Sequence, residues 1–115
     1  MRRGEIRSVD LDPARGSEAS KRRPAVIVSN DAANMAAARL GRGVMTVVPL
    51  TSNIARIYPF QVLLPAAETG LGRDSKAQAE QVRSVALERV GQRMGRVPAA
   101  LMLRIDEGMR LHLAL

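Results

Sequence analysis

The chain has 115 residues, of which 46% are hydrophobic and 25% are charged, and it contains no cysteine. A chain of this length buries about two-thirds of its unfolded surface on folding, which predicts one domain over residues 1–115. The lack of cysteine excludes a disulfide framework, a thiolate metal site and a cysteine nucleophile. Any chemistry must therefore use oxygen and nitrogen groups.

Basic residues outnumber acidic ones by 18 to 11, which gives a formal net charge of +7, and all but Lys21 and Lys76 are arginine. This charge predicts attraction to a polyanion, and the planar guanidinium group suits phosphate. Neither an apolar run of membrane-spanning length nor a signal peptide is evident, so we expect no membrane contact and a cytoplasmic location.

The N-terminal part of the chain predicts two strands joined by a long loop. Residues 4–11 alternate imperfectly between apolar and polar side chains and end at the turn signal Asp12-Pro13, which indicates a first strand. Residues 13–22 are small and polar and predict a loop, of the kind that often carries function in small domains. The β-branched run at 23–29 predicts a buried second strand.

The middle of the chain predicts a helix and two further strands. Asn30-Asp31 can cap a short alanine-rich helix that continues to Ala38. Residues 44–50 then predict a third strand and residues 58–64 a fourth.

The C-terminal part predicts a turn at 70–74, one or two short strands within 75–85, and a strand over 90–97 that two glycines interrupt. Residues 98–115 predict the one long helix, with Pro98 in its first turn. Its apolar face is expected to carry Leu101, Ile105, Met109 and either His112 or Leu113.

Five to seven short strands without βα alternation, followed by one terminal helix, predict a mainly β (α+β) fold. We expect a small antiparallel barrel with short helical insertions and a C-terminal helix. Gly108 weakens that helix by about 1 kcal/mol relative to alanine, so the helix should depend on packing.

Several kinds of site are disfavoured by the residues present. Asp10 and Asp12 lie close in sequence, but no third ligand has metal-binding spacing, so we expect no metal and no cofactor. His112 is the only histidine, and we expect it to be packed rather than catalytic. Tyr58 and Phe60 are the only Phe, Tyr or Trp residues, too few for the stacking platforms of common RNA-binding modules.

The candidate chemistry lies in the loop at residues 16–24 and in the segment after the third strand. Arg23 opens a buried strand, so a rigid element would hold its guanidinium group. Thr51 follows the third strand, and the two side chains converge if these strands are neighbours. Lys21 in the loop, with Ser52 and Asn53 beside Thr51, completes a polar and basic surface that suits RNA.

Seven short stretches are more informative as an ordered set than any of them alone. They read RGEI, VDLDP, GSE, RPAV, VPLTSN, YPFQV and EQVRS, and occupy residues 3–6, 9–13, 16–18, 23–26, 48–53, 58–62 and 80–84. In order and spacing they resemble the MazF/PemK family of toxin endoribonucleases. The resemblance implies a homodimer of SH3-like barrels with a shared groove for single-stranded RNA. It also implies metal-independent cleavage at short sequences and a cognate antitoxin whose acidic tail occupies the groove.

The same resemblance implies catalytic and RNA-binding roles for individual residues. Arg23 and Thr51 match the catalytic pair, and Glu18 matches a carboxylate in the adjoining loop. Three further positions match residues that line the RNA groove, namely Ser75, Gln81 and Arg83. The sequence departs from the family at Arg7, where members commonly carry an aromatic residue.

The residues suit attack of an RNA 2′-hydroxyl on the neighbouring phosphate, which yields a 2′,3′-cyclic phosphate. Arg23 can stabilise the added negative charge and Thr51 can hydrogen-bond a phosphate oxygen or the nucleophile. Either Glu18 or Arg23 itself could take the proton, and the sequence leaves both open. Two alternatives also stay open: a CcdB-like poison that binds gyrase through its terminal helix without catalysis, and an RNA-binding barrel without catalysis.

Overall fold

The computed structural model describes residues 1–13, 15–19 and 21–115, and this part of the chain forms seven strands and three α-helices. The strands are β1 (Glu5–Asp10), β2 (Arg22–Ile27), β3 (Val44–Thr51), β4 (Gln61–Leu64), β5 (Ser75–Gln78), β6 (Arg83–Ala86) and β7 (Val90–Arg96). The α-helices are α1 (Asp31–Leu40), α2 (Ala66–Thr69) and α3 (Ala99–Leu113), and short 3-10 helices occupy Ala79–Gln81 and Leu87–Arg89.

The strands form an antiparallel sheet in the order β4-β5-β3-β2-β1-β7, with β6 also paired to β3. Strand β3 pairs with three neighbours, since its first half pairs with β6, its residues 47–49 pair with β2 and its last two residues pair with β5. The architecture confirms the predicted fold class, a mostly β domain of antiparallel strands with a C-terminal helix.

Apolar side chains pack on both faces of the sheet. Val26 and Val48 belong to the cluster covered by α3, whereas Ala25 belongs to a second cluster on the opposite face. Ile6 and Val9 are both fully buried, one in each cluster. The first strand therefore lacks a clean apolar and polar alternation because it is covered on both faces.

Helix α1 begins and ends as its sequence dictates. The side chain of Asn30 accepts a hydrogen bond from the Ala33 backbone N–H at 2.8 Å, so Asn30 is the predicted N-cap. The helix runs two residues past Ala38 and ends at Gly41, whose φ of 68° lies in the left-handed region that glycine adopts readily.

The structure differs from the sequence prediction at β4, α2 and β7. Residues 58–60 form a turn before β4 rather than part of the strand, and the Gln61 N–H donates to the Tyr58 carbonyl at 2.8 Å. Helix α2 was not expected, since four residues are too few to show helical periodicity. Strand β7 continues through its two glycines, and glycine is needed at position 95 because a β-carbon there would overlap the Thr69 carbonyl oxygen of α2.

Helix α3 buries Leu101, Met102, Ile105 and Gly108. The predicted apolar face is correct at Leu101 and Ile105, and Met109 packs partly buried against the same cluster. His112 is exposed in the last turn of the helix, so the expectation that it is buried on the apolar face is wrong, although one side of its ring faces Phe60. None of the helices in the described residues combines the length and the hydropathy needed to cross a membrane.

Candidate active site

An open cavity of about 420 Å³ lies between the ends of β2 and β3, strand β7 and the segment before β5. Its lining residues are Arg23, Pro24, Leu50, Thr51, Ser52, Asn53, Leu71, Gly72, Arg73, Ser75 and Met94. Five of the residues selected from the sequence therefore share one cavity, although they come from three separate parts of the chain.

The strand register explains why Arg23 and Thr51 meet. Ala25 of β2 pairs with Pro49 of β3, so the antiparallel register carried two residues further brings Arg23 level with Thr51. On its other side Arg23 pairs with Val9 of β1, which places its backbone inside a three-stranded region and leaves the residue half-buried. The guanidinium group thus extends from a rigid support.

The Thr51 hydroxyl is oriented by the turn that follows β3. Its oxygen accepts the Asn53 backbone N–H at 3.2 Å, and the Asn53 side-chain oxygen accepts the Ala55 N–H at 3.4 Å. Because the threonine oxygen is the acceptor in its bond, the hydroxyl hydrogen is available for a further acceptor such as a phosphate oxygen. Ser52 is exposed beside it.

The opposite wall is formed by the segment that leads into β5. Ser75 is buried and donates to the Arg73 carbonyl at 3.4 Å, and Arg73 itself is exposed. Two guanidinium groups, Arg23 and Arg73, line the cavity together with hydroxyl and amide groups, and no lining side chain among the described residues is a carboxylate. Such a set favours an anionic ligand and can bind phosphate through charge-assisted hydrogen bonds.

Glu18 and Lys21 lie in the loop between β1 and β2 and are not among the cavity residues. The Glu18 carboxylate accepts the Arg15 N–H at 2.8 Å, so it closes a turn within the loop. Lys21 is exposed, with a φ of 65°, and its backbone N–H donates to the Asp12 carboxylate at 2.7 Å. The predicted loop at 13–22 also contains positions 14 and 20, which lie outside the described residues.

Gln81 and Arg83 also contact the β1–β2 loop rather than the cavity. The Gln81 side chain accepts the Ala19 N–H at 3.1 Å and donates to the Ser17 carbonyl at 3.0 Å. Arg83 donates to the Leu11 carbonyl at 3.4 Å. Both side chains hold the loop in place, and their contact with RNA stays a prediction.

Arg7 and the paired aspartates have structural contacts of their own. The Arg7 guanidinium lies 3.4 Å from the Glu5 carboxylate and donates to the Gly91 carbonyl at 3.3 Å, which ties β1 to β7. Asp10 accepts the Asp12 N–H at 3.1 Å, so both aspartates brace the start of the loop. Within the described ranges no three histidine, aspartate or glutamate side chains are grouped as metal ligands would be.

Six cavity residues are not among the site residues predicted from the sequence, namely Pro24, Leu50, Leu71, Gly72, Arg73 and Met94. Arg73 could have been predicted as a site residue, since it is a basic residue in the predicted turn 70–74, which directly precedes Ser75. Met94 had none, because its position depends on the pairing of β7 with β1, two segments at opposite ends of the chain.

Comparison with known proteins gives a consistent result over the whole fold. Residues 2–113 match the family model described as "PemK-like, MazF-like toxin of type II toxin-antitoxin system". "Endoribonuclease MazF9" of Mycobacterium tuberculosis is 67% identical over 115 residues, which cover 100% of this chain and 98% of that protein.

Two solved structures from Deinococcus radiodurans have the same fold. MazF (Form-I) aligns with a TM-score of 0.79 at 27% identity and covers 100% of this chain and 97% of its own. The MazE-MazF structure (Form-II) aligns with a TM-score of 0.74 at 26% identity and covers 100% of this chain and 96% of its own. The resemblance first indicated by short sequence stretches is confirmed: the chain belongs to the PemK-like, MazF-like toxin family of type II toxin–antitoxin systems.

Proposed function

We propose that this chain is a toxin endoribonuclease that cleaves single-stranded RNA at short sequences in the cavity shared by Arg23 and Thr51. The observation that carries the proposal is the meeting of these two side chains, through the β2–β3 register, in a cavity that also holds the Arg73 guanidinium. The similarity to an endoribonuclease along the full length of the chain supports the same reaction class.

The proposed reaction is attack by a ribose 2′-hydroxyl on the adjacent phosphorus. The 2′-oxygen bonds to phosphorus and the bond to the 5′-oxygen breaks, which leaves a 2′,3′-cyclic phosphate on one fragment and a 5′-hydroxyl on the other. Arg23 stabilises the added negative charge with two parallel N–H groups, and the Thr51 hydroxyl donates to a phosphate oxygen. The guanidinium charge serves the purpose that a divalent ion would otherwise serve, so the reaction should not require one.

The proton on the 2′-hydroxyl must pass to a base, and the departing 5′-oxygen must receive one. Glu18 is the carboxylate suggested by the family resemblance, but it lies in the β1–β2 loop and bonds the Arg15 N–H. Its participation requires the loop to approach the cavity when RNA binds. Arg23 remains the alternative base, although free arginine keeps its proton far above neutral pH.

RNA and an antitoxin are the proposed partners. A net charge of +7 favours both an RNA strand and the acidic tail of a cognate antitoxin. We expect RNA to follow the surface of the cavity and the neighbouring loop. The residues proposed to contact it are Lys21, Ser52, Asn53, Ser75, Gln81 and Arg83. The description of the family as toxins of type II toxin–antitoxin systems supports the antitoxin proposal.

The second chain of a homodimer is a further proposed partner. Four leucines on α3 and its tail are exposed, namely Leu103, Leu111, Leu113 and Leu115. A second copy of the chain would cover apolar surface of this extent. The alternative function, a poison that acts through the terminal helix without catalysis, is not favoured, since the family relatives are named endoribonucleases.

The test is to incubate the purified chain with a mixed single-stranded RNA in excess EDTA and to analyse the ends of the products. We expect discrete fragments with 2′,3′-cyclic phosphate ends, and a loss of about 10²- to 10³-fold in rate for Arg23→Ala. Arg42→Ala is the matched control, because Arg42 is an exposed arginine that does not line the cavity. Intact RNA with the wild-type chain, or equal rates for wild type and Arg23→Ala, would contradict the proposal.

A further inference from the structure

The fold brings the few aromatic rings of the chain into one column beside the turn before β4. The rings of Tyr58 and Phe60 are nearly parallel, at 6°, with centroids 5.7 Å apart. The His112 ring of α3 lies 6.0 Å from Phe60 at a tilt of 52°. Tyr58 is 44% exposed, so the column ends in an aromatic side chain that is open to solvent.

Two cations lie over the Tyr58 ring, in addition to the parallel ring of Phe60. The Arg56 guanidinium carbon lies 5.5 Å from the Tyr58 ring centroid, and Arg56 Nη1 donates to the tyrosine hydroxyl at 3.2 Å. The buried Lys76 ammonium lies 5.8 Å from the same centroid and donates to the Arg56 carbonyl at 2.5 Å. These contacts hold the ring in place and surround it with positive charge.

The aromatic column lies near the cavity, both along the chain and through the pairing of β3 with β5. Lys76 is the β5 residue that pairs with Thr51, so the lysine beside Tyr58 is the direct neighbour of a proposed catalytic residue. Asn53 lines the cavity, and the three residues from there to Arg56 span at most about 11 Å. Tyr58 therefore lies close to the cavity, within the distance that a few nucleotides of RNA can span.

We propose that Tyr58 is a stacking subsite for an unpaired nucleobase of the RNA whose phosphate occupies the Arg23 and Thr51 cavity. The inference rests on the proposed function and adds a binding residue to it. The base stacks on the ring in place of the exposed Arg56 guanidinium, and any base presents a π-face to the ring. The exposed Arg56 guanidinium can neutralise a phosphate that flanks the stacked base, and the buried Lys76 adds positive charge nearby.

The chain offers an internal reporter for this contact, since Tyr58 is its only tyrosine and it has no tryptophan. The probe is a mixed-sequence single-stranded oligonucleotide with 2′-O-methyl on every ribose, which has no nucleophile and stays intact. We expect a saturable quench of tyrosine emission as it binds, beyond the absorption loss measured with free tyrosine. Binding detected by anisotropy of a labelled probe without such a quench would overturn the proposal.

A second measurement separates stacking from a structural role of the ring. Tyr58→Leu is expected to weaken binding of the base-bearing probe by about 5- to 150-fold, whereas Tyr58→Phe keeps its affinity. An abasic probe of the same length should bind the wild type and Tyr58→Leu equally. Equal losses with both probes would show that the substitution damages the fold or the charge pattern, and the stacking subsite would be wrong.

The two proposals fail in different ways. If the wild type cleaves RNA but shows no tyrosine quench, the endoribonuclease proposal is supported and the stacking subsite is contradicted. If the 2′-O-methyl probe quenches tyrosine emission but RNA is not cleaved, the stacking subsite is supported and the endoribonuclease proposal is contradicted.

Discussion

Gly108 gives the sharpest test of the packing that supports the aromatic column. It lies in the middle of α3, where replacement by alanine should stabilise an isolated helix by about 1 kcal/mol. In the folded chain, however, a β-carbon at this position would lie 2.6 Å from the Phe60 carbonyl oxygen and 3.5 Å from the Ala79 β-carbon. Tertiary contact and helix propensity therefore predict effects of opposite sign.

The magnitude follows from the nature of the obstacle. Carbon and oxygen atoms in close contact are normally about 3.3 Å apart, so the helix and the turn must separate by roughly 0.7 Å. The obstacle is backbone, and the Gln61 N–H holds its turn closed through the Tyr58 carbonyl. Overpacking of this kind costs about 2 to 3 kcal/mol. After subtraction of the propensity gain, we expect Gly108→Ala to lose about 1 to 2 kcal/mol.

The assay is urea and thermal unfolding followed by circular dichroism, with Gly72→Ala as the matched control. No atom lies within 4 Å of a β-carbon built at Gly72, so that substitution should be neutral or slightly stabilising. Gly108→Ala should lower Tm by roughly 4 to 10 °C. A Gly108→Ala chain as stable as the wild type would refute the close packing of α3 on the Phe60 turn.

Two further predictions concern the loop and the assembly. Gln81→Leu removes the side-chain hydrogen bonds to Ala19 and Ser17, so amide hydrogen exchange at Ala19 should accelerate about fivefold or more. Unchanged exchange at Ala19 would mean that Gln81 does not hold the loop. Mass measurement at micromolar concentration should give twice the 12.4 kDa of one chain, and Leu111→Arg should shift the mass toward the single chain. A single-chain mass for the wild type would contradict the homodimer.

The elements that could be predicted from the sequence are those with local signals. The β-branched run predicts the strand β2 in which it lies, and Asn30 and Gly41 mark the start and the end of α1 from adjacent positions. Arg23 and Thr51 could be connected because each adjoins a strand, and adjacent strands along the chain commonly pair. The family resemblance added roles to the same positions.

The features that could not be predicted depend on contacts between distant segments. Met94 lines the cavity only because β7 pairs with β1, and Gly95 is needed there only because α2 packs against it. From the sequence, Gly108 is likewise expected only to weaken the helix, because the Phe60 carbonyl beside it is 48 residues away along the chain. Composition disfavoured an aromatic platform, whereas the fold collects Tyr58, Phe60 and a histidine in one place.

The most direct test of the account is a double-mutant cycle of Arg23→Ala and Thr51→Val in single-turnover RNA cleavage. If both side chains act on one scissile phosphate, each substitution should cost about 10²- to 10³-fold in rate. The double variant should then be little slower than the slower single variant, because groups that act as a unit are strongly non-additive. Losses that multiply in the double variant, or a wild-type rate in either single variant, would contradict the claim that the two residues form one active site.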